Sequence, residues 1–200
     1  MPGGVALWYP GKGPHLPHPV IAAAPANDSI ASFHLRTSYA VAVSEHKHLL
    51  HWGAPVGKER TKISPARTLN FLSAPPSIPP HFAAIRVLQV ACNDAAVHVV
   101  AEDGTLFSWG CDRGESGVLG LGEGVFEARA PQPNQYLLEF RIVSVSVGRN
   151  HVAALDGSSQ LFTWGLGTFG QLGQESVRRS CQPLLNYQTK LLKLRQIFCL

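Results

Sequence analysis

The chain has 200 residues, of which 45% are hydrophobic and only 15% charged, with 19 Gly and 15 Pro. This composition favours many short strands joined by turns over long surface helices. The densest groups of Lys and Arg are short, whereas nucleic-acid binders normally cluster such residues on a face or in an arm. No apolar run approaches the ~20 residues of a membrane helix. We therefore expect neither nucleic acid nor a membrane as a partner.

The cysteines and the N-terminus bear on the cellular compartment. Cys92, Cys111, Cys181 and Cys199 share no C-x-x-C spacing, and residues 1–13 lack the charged start and apolar stretch of a secretory signal. Both features are typical of a reducing compartment in which thiols stay free. We expect a cytoplasmic protein, with the nucleus and the cilium as alternatives.

In chain order, the predicted strands form a repeat. A short apolar segment at residues 5–10 is the poorest copy, and three later copies each end in a Trp-Gly step. Their tryptophans are 57 and 55 residues apart: Trp52-Gly53, Trp109-Gly110 and Trp164-Gly165. Each step follows a run rich in Val and Ala and then a polar turn, which is the order typical of a β-hairpin. Further strands are predicted at 85–91 and 141–147, before the second and third hairpins.

The size of this unit predicts the fold. Three or four strands in about 55 residues cannot bury both faces of a sheet alone, so neighbouring units must stack, as the blades of a β-propeller do. A β-sandwich would not explain a Trp-Gly step at a fixed spacing. We predict an all-β fold, an incomplete β-propeller of three to four antiparallel blades. The predicted division is a degenerate first blade at 1–30, blades at 31–84 and 85–140, and a blade plus the next strand at 141–200.

The copy at Val145–Gly173 carries the fullest motif, V-x-x-G-x-x-H-x-x-x-L before the Trp-Gly step and G-x-x-G-Q-L-G after it. This pattern resembles the regulator of chromosome condensation repeat. The copy around Trp109 departs from it, with Asn93 in place of glycine and Ala96 in place of histidine. The residues assigned to the structural repeat are Trp52, Gly53, Trp109, Gly110, Gly148, His151, Trp164, Gly165, Gly170 and Gly173.

The resemblance implies a seven-bladed propeller, which these few blades cannot close. We therefore expect the 200 residues to be a fragment or short isoform of a longer propeller. Missing blades or another chain would cover its open edges, because unpaired apolar edges promote aggregation.

Three patterns that could carry chemistry have simpler interpretations. Residues 165–170 spell G-x-G-x-x-G, but no helical pattern follows, so they are interpreted as repeat glycines. Residues 53–59 are one residue short of a phosphate loop. His46, His48 and His51 lack a partner at structural-zinc spacing and are interpreted as a polar hairpin tip. His151 is interpreted as a core polar residue. We expect no catalysis, no cofactor and no metal.

Function in such a fold belongs to the rim loops. We predict a non-catalytic scaffold that binds a protein. The resemblance also implies an alternative, guanine-nucleotide exchange on a small GTPase of the Ran type, which acidic rim residues would contact. Only Asp94 keeps an acid, and Arg149 reverses the sign. The predicted binding residues are Thr37, Ser38, Asn93, Asp94, Arg149 and Asn150.

Residues 5–13 support one more alternative. They resemble the shortened first blade of the propeller tail on some NIMA-related kinases, which implies a regulatory tail of a kinase. No kinase motif occurs in the chain.

Overall fold

The computed structural model describes residues 5–7, 20–22, 28–36, 39–53, 78–174 and 178–186. Strands dominate these residues, and the helical elements within them are two 3-10 turns, Pro80–Phe82 and Gln135–Leu137. Within the described ranges, no helix has the length and hydropathy needed to span a bilayer. The predicted all-β class is confirmed. The chain divides into two units, the first comprising Met1–Ala54 and Lys58–Arg86, the second Pro55–Gly57 and Val87–Leu200.

The first unit contains two antiparallel sheets. In one, β1 (Val5–Leu7) pairs with β2 (Val20–Ala22). The other has the order β3-β4-β5, with strands at Ile30–Leu35, Tyr39–Ser44 and Leu49–Gly53. Its centre is buried: Trp52 packs with Ala40, Ala42 and Leu50. The Phe33 ring meets the Trp52 ring edge-on, with the centroids 5.7 Å apart.

The second unit contains two four-stranded antiparallel sheets, each a simple meander. The first, blade A, consists of β6 (Val87–Cys92), β7 (Ala96–Ala101), β8 (Leu106–Cys111) and β9 (Glu127–Pro133). The second, blade B, consists of β10 (Ile142–Val147), β11 (His151–Asp156), β12 (Leu161–Leu166) and β13 (Arg179–Leu185). Every residue of β7 is buried, as expected for an apolar strand that is flanked by two others.

The repeat extends to single backbone hydrogen bonds. In each of the three hairpins a backbone N–H donates to the carbonyl four residues later at 3.0 Å: Ser44 to His48, Ala101 to Thr105, and Asp156 to Gln160. The first strand pair of each of these three sheets also carries a register shift, and the shifts fall between Ile30 and Ser32, Val87 and Gln89, and Ile142 and Ser144. The copies therefore share turns and bulges as well as strands.

Blades A and B pack through Trp164. Its side chain is fully buried, and its indole Nε1 donates to the carbonyl of Val118 in blade A at 2.9 Å. A buried indole N–H needs such an acceptor. The ring lies edge-on to His98 at 5.7 Å between centroids. Gly120 lies against the indole so closely that a Cβ there would overlap it. The tryptophan of one blade is thus bound by the loop of the blade before it.

Gln89 provides a second link between these blades. Its side-chain amide donates to the Val145 carbonyl at 3.0 Å and accepts from the Val145 N–H at 3.0 Å. The amide thereby pairs with β10 as a peptide group of a neighbouring strand would.

Candidate protein-binding rim

In blades A and B the rim is formed by the turn between the first two strands, and the first unit has an equivalent turn between β3 and β4. In each turn the first residue donates its N–H to the carbonyl of the fourth: Arg36 to Tyr39 at 2.9 Å, Asn93 to Ala96 at 3.0 Å, and Gly148 to His151 at 2.8 Å. These bonds define the equivalent positions. Asp94 corresponds to Arg149, and Ala95 corresponds to Asn150. The predicted pair Asn93-Asp94 is therefore one residue out of register with Arg149-Asn150, while Thr37 and Ser38 lie outside the described residues.

The glycine of the Trp-Gly step allows this turn to lie directly against the third strand of its blade. In blade A, Cys111 N donates to the Ala95 carbonyl at 2.8 Å, and in blade B, Leu166 N donates to the Asn150 carbonyl at 2.7 Å. Gly110 and Gly165 have φ values of 142° and 100°, and a Cβ on either would overlap the turn carbonyl. Glycine is required because only it combines this φ with so close an approach.

Asn93 joins the rim turns of the two blades. Its Nδ2 donates to the carbonyls of Gly148 and Arg149, both at 2.9 Å. Its Oδ1 accepts from Ala95 N at 2.9 Å and Ala96 N at 2.8 Å. Asn93 is buried, at 7% exposure. Its side chain is thus a brace within the rim, and we do not include it in the contact surface.

Asn93 also explains why blade A departs from the repeat motif. In blade B the His151 ring lies directly on Gly148, so that a Cβ at position 148 would overlap the imidazole. Burial lowers the pKa of His151, which keeps the ring neutral near neutral pH. In blade A the fourth residue is Ala96, which leaves that space free for the side chain of Asn93. At the first and fourth positions of the turn, blade B thus has Gly and His, and blade A has Asn and Ala.

Three of the predicted binding residues remain on the surface. Asp94 and Arg149 are exposed and Asn150 is half-buried. Because Asn93 bonds to the backbone on either side of Arg149, the two turns are held at a fixed separation. The structure thus brings Asp94, Arg149 and Asn150 onto one edge of the second unit.

The long loop after β8 starts at the same edge, because Gly110 pairs with Ala96. Its conformation is fixed by Asp112, which is 3% exposed. The carboxylate accepts from Gly117 N at 2.7 Å, Val118 N at 3.2 Å and the Ser116 hydroxyl at 3.1 Å. A buried carboxylate is stable only with such donors. The loop is therefore ordered at its base, and its residues Arg113 and Glu115 are exposed.

The histidines separate into surface and core groups. His46 and His48 both face Asp28, with Nδ1 to carboxylate distances of 2.7 and 3.4 Å. Burial raises the pKa of Asp28, but hydrogen bonds from Ser44 and these histidines outweigh it and lower the pKa well below its usual value. His51 instead stacks on Tyr39 at 6.2 Å between centroids. Within the part of the chain that the structure describes, no group of three His, Cys, Asp or Glu side chains has the geometry to hold a metal ion.

His98 has no signal in the sequence motif. It is fully buried in β7, and its Nδ1 lies 3.0 Å from the Ser108 hydroxyl. Burial lowers the pKa of His98 to about 3, so the ring is neutral and enclosed. Burial likewise raises the pKa of the Cys181 thiol to about 11, which disfavours the reactive thiolate. Neither side chain has the access that a general base or nucleophile needs.

The family comparison matches both blades of the second unit. A model described as regulator of chromosome condensation (RCC1) repeat matches residues 103–155 and 158–199, and another of that description matches residues 142–171. The Ultraviolet-B receptor UVR8 of Arabidopsis thaliana is 38% identical over 89 residues, which are 44% of this chain and 20% of the receptor. The chain thus spans about a fifth of that relative's length.

Two solved structures show the same architecture. Human WBSCR16 superimposes with a TM-score of 0.62 at 22% identity, covering 84% of this chain and 42% of WBSCR16. Prp20p from Saccharomyces cerevisiae, the yeast RCC1 whose binding to Gsp1p and histones has been studied, superimposes with a TM-score of 0.58 at 20% identity. That match covers 79% of this chain and 36% of Prp20p. The predicted incomplete β-propeller is confirmed.

Proposed function

We propose that the chain, of which residues 103–155 and 158–199 match the regulator of chromosome condensation repeat, is a protein-interaction scaffold rather than an enzyme. The proposed contact surface is the rim around Asp94, Arg149 and Asn150. The observation that supports it most directly is the Asn93 brace, which bonds to the carbonyls of Gly148 and Arg149. A surface that is rigid before binding loses less conformational entropy when a partner docks.

The charges of this rim indicate the kind of partner. An acid and a base stand at equivalent positions of neighbouring blades, so a partner with a complementary pair would be oriented by both. Charges at an exposed rim affect association rate and specificity more than affinity. The Kd for the partner should therefore rise with ionic strength. Salt screens exposed charges over the Debye length, which is about 8 Å at physiological ionic strength.

The test is charge reversal at the rim. A partner recovered with the 200-residue chain is purified, and its Kd is measured for Asp94→Lys, Arg149→Glu and the double variant. Glu139→Lys is the matched control, because Glu139 is exposed and lies between β9 and β10, at the opposite end of the blades. We expect each rim variant to weaken binding at least tenfold and the control to leave it unchanged. Equal binding by all four variants would place the contact surface elsewhere.

Guanine-nucleotide exchange on a small GTPase of the Ran type is the second candidate. Prp20p, the neighbour whose binding to Gsp1p has been studied, and the exposed Asp94 favour it. A nucleotide-release assay with Ran-like GTPases tests it directly. Acceleration that Asp94→Lys abolishes would favour exchange over the scaffold.

The remaining functional predictions concern context. We propose a cytoplasmic location, with the nucleus and cilium as alternatives, which imaging of a tagged chain would decide. A regulatory role beside a kinase domain stays a prediction from residues 5–13. We also propose that further blades or another chain cover the open edges of the described sheets.

A further inference from the structure

The connection between β9 and β10, residues 134–141, lies at the end of the blades opposite the rim. Backbone hydrogen bonds fix both of its ends on the turn between β7 and β8. Asn134 N donates to the Leu106 carbonyl at 2.8 Å, and Ile142 N donates to the Gly104 carbonyl at 3.0 Å. The connection and the turn therefore form one ordered surface, and all of it belongs to the second unit.

Two large apolar side chains of this connection are exposed. Tyr136 is 39% exposed and Leu138 is 61% exposed. The connection is attached to the blades by other residues, because Leu137 is buried and the Phe140 ring packs on that of Phe162 at 4.7 Å between centroids. A single exposed apolar side chain is ordinary, whereas neighbouring ones on an ordered segment are typical of an interaction site.

The connection that precedes β6 shows that the fold does not require a large residue at position 138. Both connections contain the same two backbone hydrogen bonds, each from an N–H to the carbonyl three residues earlier: Phe82 to Pro79, Ile85 to Phe82, Leu137 to Asn134 and Phe140 to Leu137. Ala83 therefore corresponds to Leu138, and Ala84 corresponds to Glu139. Because the same turn forms with alanine, the exposed leucine is available for a role outside the fold.

The charges at this end of the blades are mostly negative. The connection also contacts the turn between β11 and β12, since Gly157 N donates to the Arg141 carbonyl at 2.9 Å. The connection and the two turns together contain four acidic residues and one basic residue: Glu102, Asp103, Glu139, Asp156 and Arg141. The chain as a whole carries a net charge of +4. Since complementary charges favour association, this end of the blades favours a basic partner.

We propose that the connection and the turn between β7 and β8 form a second docking surface, which binds a basic segment of another protein. An apolar residue of that segment would pack on Tyr136 and Leu138, and its Lys or Arg side chains would face the exposed carboxylates of Asp103 and Glu139. The proposal goes beyond the rim contacts. Because the two surfaces lie at opposite ends of the blades, the chain can bind two partners at once, and either proposal can fail without the other.

The first experiment identifies the sequences that this surface selects. A display library of random peptides is panned on the 200-residue chain, and the bound peptides are then tested on the double variant Leu138→Ala, Glu139→Lys. We expect the peptides that the variant fails to bind to contain Lys or Arg beside an apolar residue. If no peptide distinguished the two chains, or if those that did were acidic, the proposal would be overturned.

Single variants then locate the contact with the best of these peptides. Leu138→Ala and Glu139→Lys should each raise its Kd about tenfold, through the lost apolar anchor and the reversed charge, and the Tm of both should stay unchanged. Two matched controls should leave the Kd unchanged: Leu88→Ala, since Leu88 is 42% exposed on β6, and Asp94→Lys at the rim. A Kd that rose with Asp94→Lys but not with Glu139→Lys would assign the peptide to the rim and overturn the proposal.

Discussion

Blades A and B have the same strand order, bulges and turns, but they fill the space at their rim turns in opposite ways. In blade B the fourth turn residue fills it, because the His151 ring lies on Gly148. In blade A the first residue fills it, because Asn93 is a larger residue and Ala96 a smaller one. The repeat thus conserves an occupied volume and a turn hydrogen bond rather than a residue type, as close packing requires.

A second difference concerns the middle strands. The position of His98 in β7 corresponds to Ala153 in β11, since Val97 and Val152 each pair with the tryptophan of their blade. Blade A therefore encloses a titratable ring beside Trp164, whereas blade B has a methyl group at the same place. The predictions below use these differences.

The largest expected effect is acid destabilisation through His98. Its folded-state pKa of about 3 is below its ordinary value, so the unfolded chain binds a proton below about pH 6.5 and the folded chain does not. Stability from this group is complete above pH 6.5 and falls by about 1.4 kcal/mol per pH unit below it, or roughly 3 kcal/mol by pH 4. Urea unfolding at several pH values measures this slope. His98→Gln should flatten it, whereas the exposed His81→Gln should not; an unchanged slope in His98→Gln would contradict the prediction.

The next effect is a clash in blade B. Gly148 has no left-handed φ, and the three atoms nearest to a Cβ built there all belong to the His151 ring. Gly148→Asn should cost about 2 kcal/mol of unfolding free energy by overpacking. His151→Ala in the same chain recreates the pair of blade A and should restore most of the loss, a coupling of about 1–2 kcal/mol. Denaturant unfolding of both single variants and the double variant measures the cycle. Additive losses would show that the two positions do not share one space.

A smaller loss is expected at the brace. Asn93→Ala leaves the carbonyls of Gly148 and Arg149 without its two hydrogen bonds, at a cost of about 1–2 kcal/mol. The amides of the blade B turn should also exchange faster, because the brace connects the two turns. Asn134→Ala is a useful comparison, since Asn134 bonds within blade A and its loss should leave the blade B turn protected. Unchanged exchange in Asn93→Ala would show that the turns are held separately.

The smallest effect is expected in the blade A loop, where Asp112 accepts backbone hydrogen bonds. Asp112→Asn keeps the shape of the side chain but weakens the hydrogen bonds from Gly117 and Val118, at a cost of about 1 kcal/mol. The Trp164 indole should lose protection as well, because Val118 accepts its N–H. Thermal unfolding and indole exchange check both parts, with exposed Glu115→Gln as the control. If Asp112→Asn left the Tm unchanged while the Trp164 indole N–H exchanged faster, the stability of the loop and the indole hydrogen bond would be independent of each other.

Much of the fold could be predicted from the sequence because its causes are local. The run at 97–100 predicts a buried strand, and the structure has β7 at Ala96–Ala101. The Trp-Gly steps predict packing anchors, and Trp164 lies between blades. These features depend on apolar runs, turns and spacing, all of which are visible within one copy of the repeat.

The rim could be predicted only in part, because its contacts join residues that are far apart in sequence. Asn93 bonds to residues 55 and 56 positions away, and no pattern within one copy announces such a contact. The compensating Asn93 and Ala96 pair also removes both motif residues, which is why the predicted pair Asn93-Asp94 is one residue out of register with Arg149-Asn150. The burial of His98 is not visible in the motif for the same reason, since the Trp164 ring beside it belongs to the neighbouring blade.

The pairing of Gln89 with Val145 has a consequence for solubility. Because β10 is the first strand of its sheet, its outer N–H and C=O groups could otherwise hydrogen-bond to a strand from another molecule. The Gln89 amide already occupies both groups of Val145. A strand from another molecule would have to displace these two hydrogen bonds before it could pair with β10. Gln89 therefore disfavours edge-to-edge aggregation at this strand.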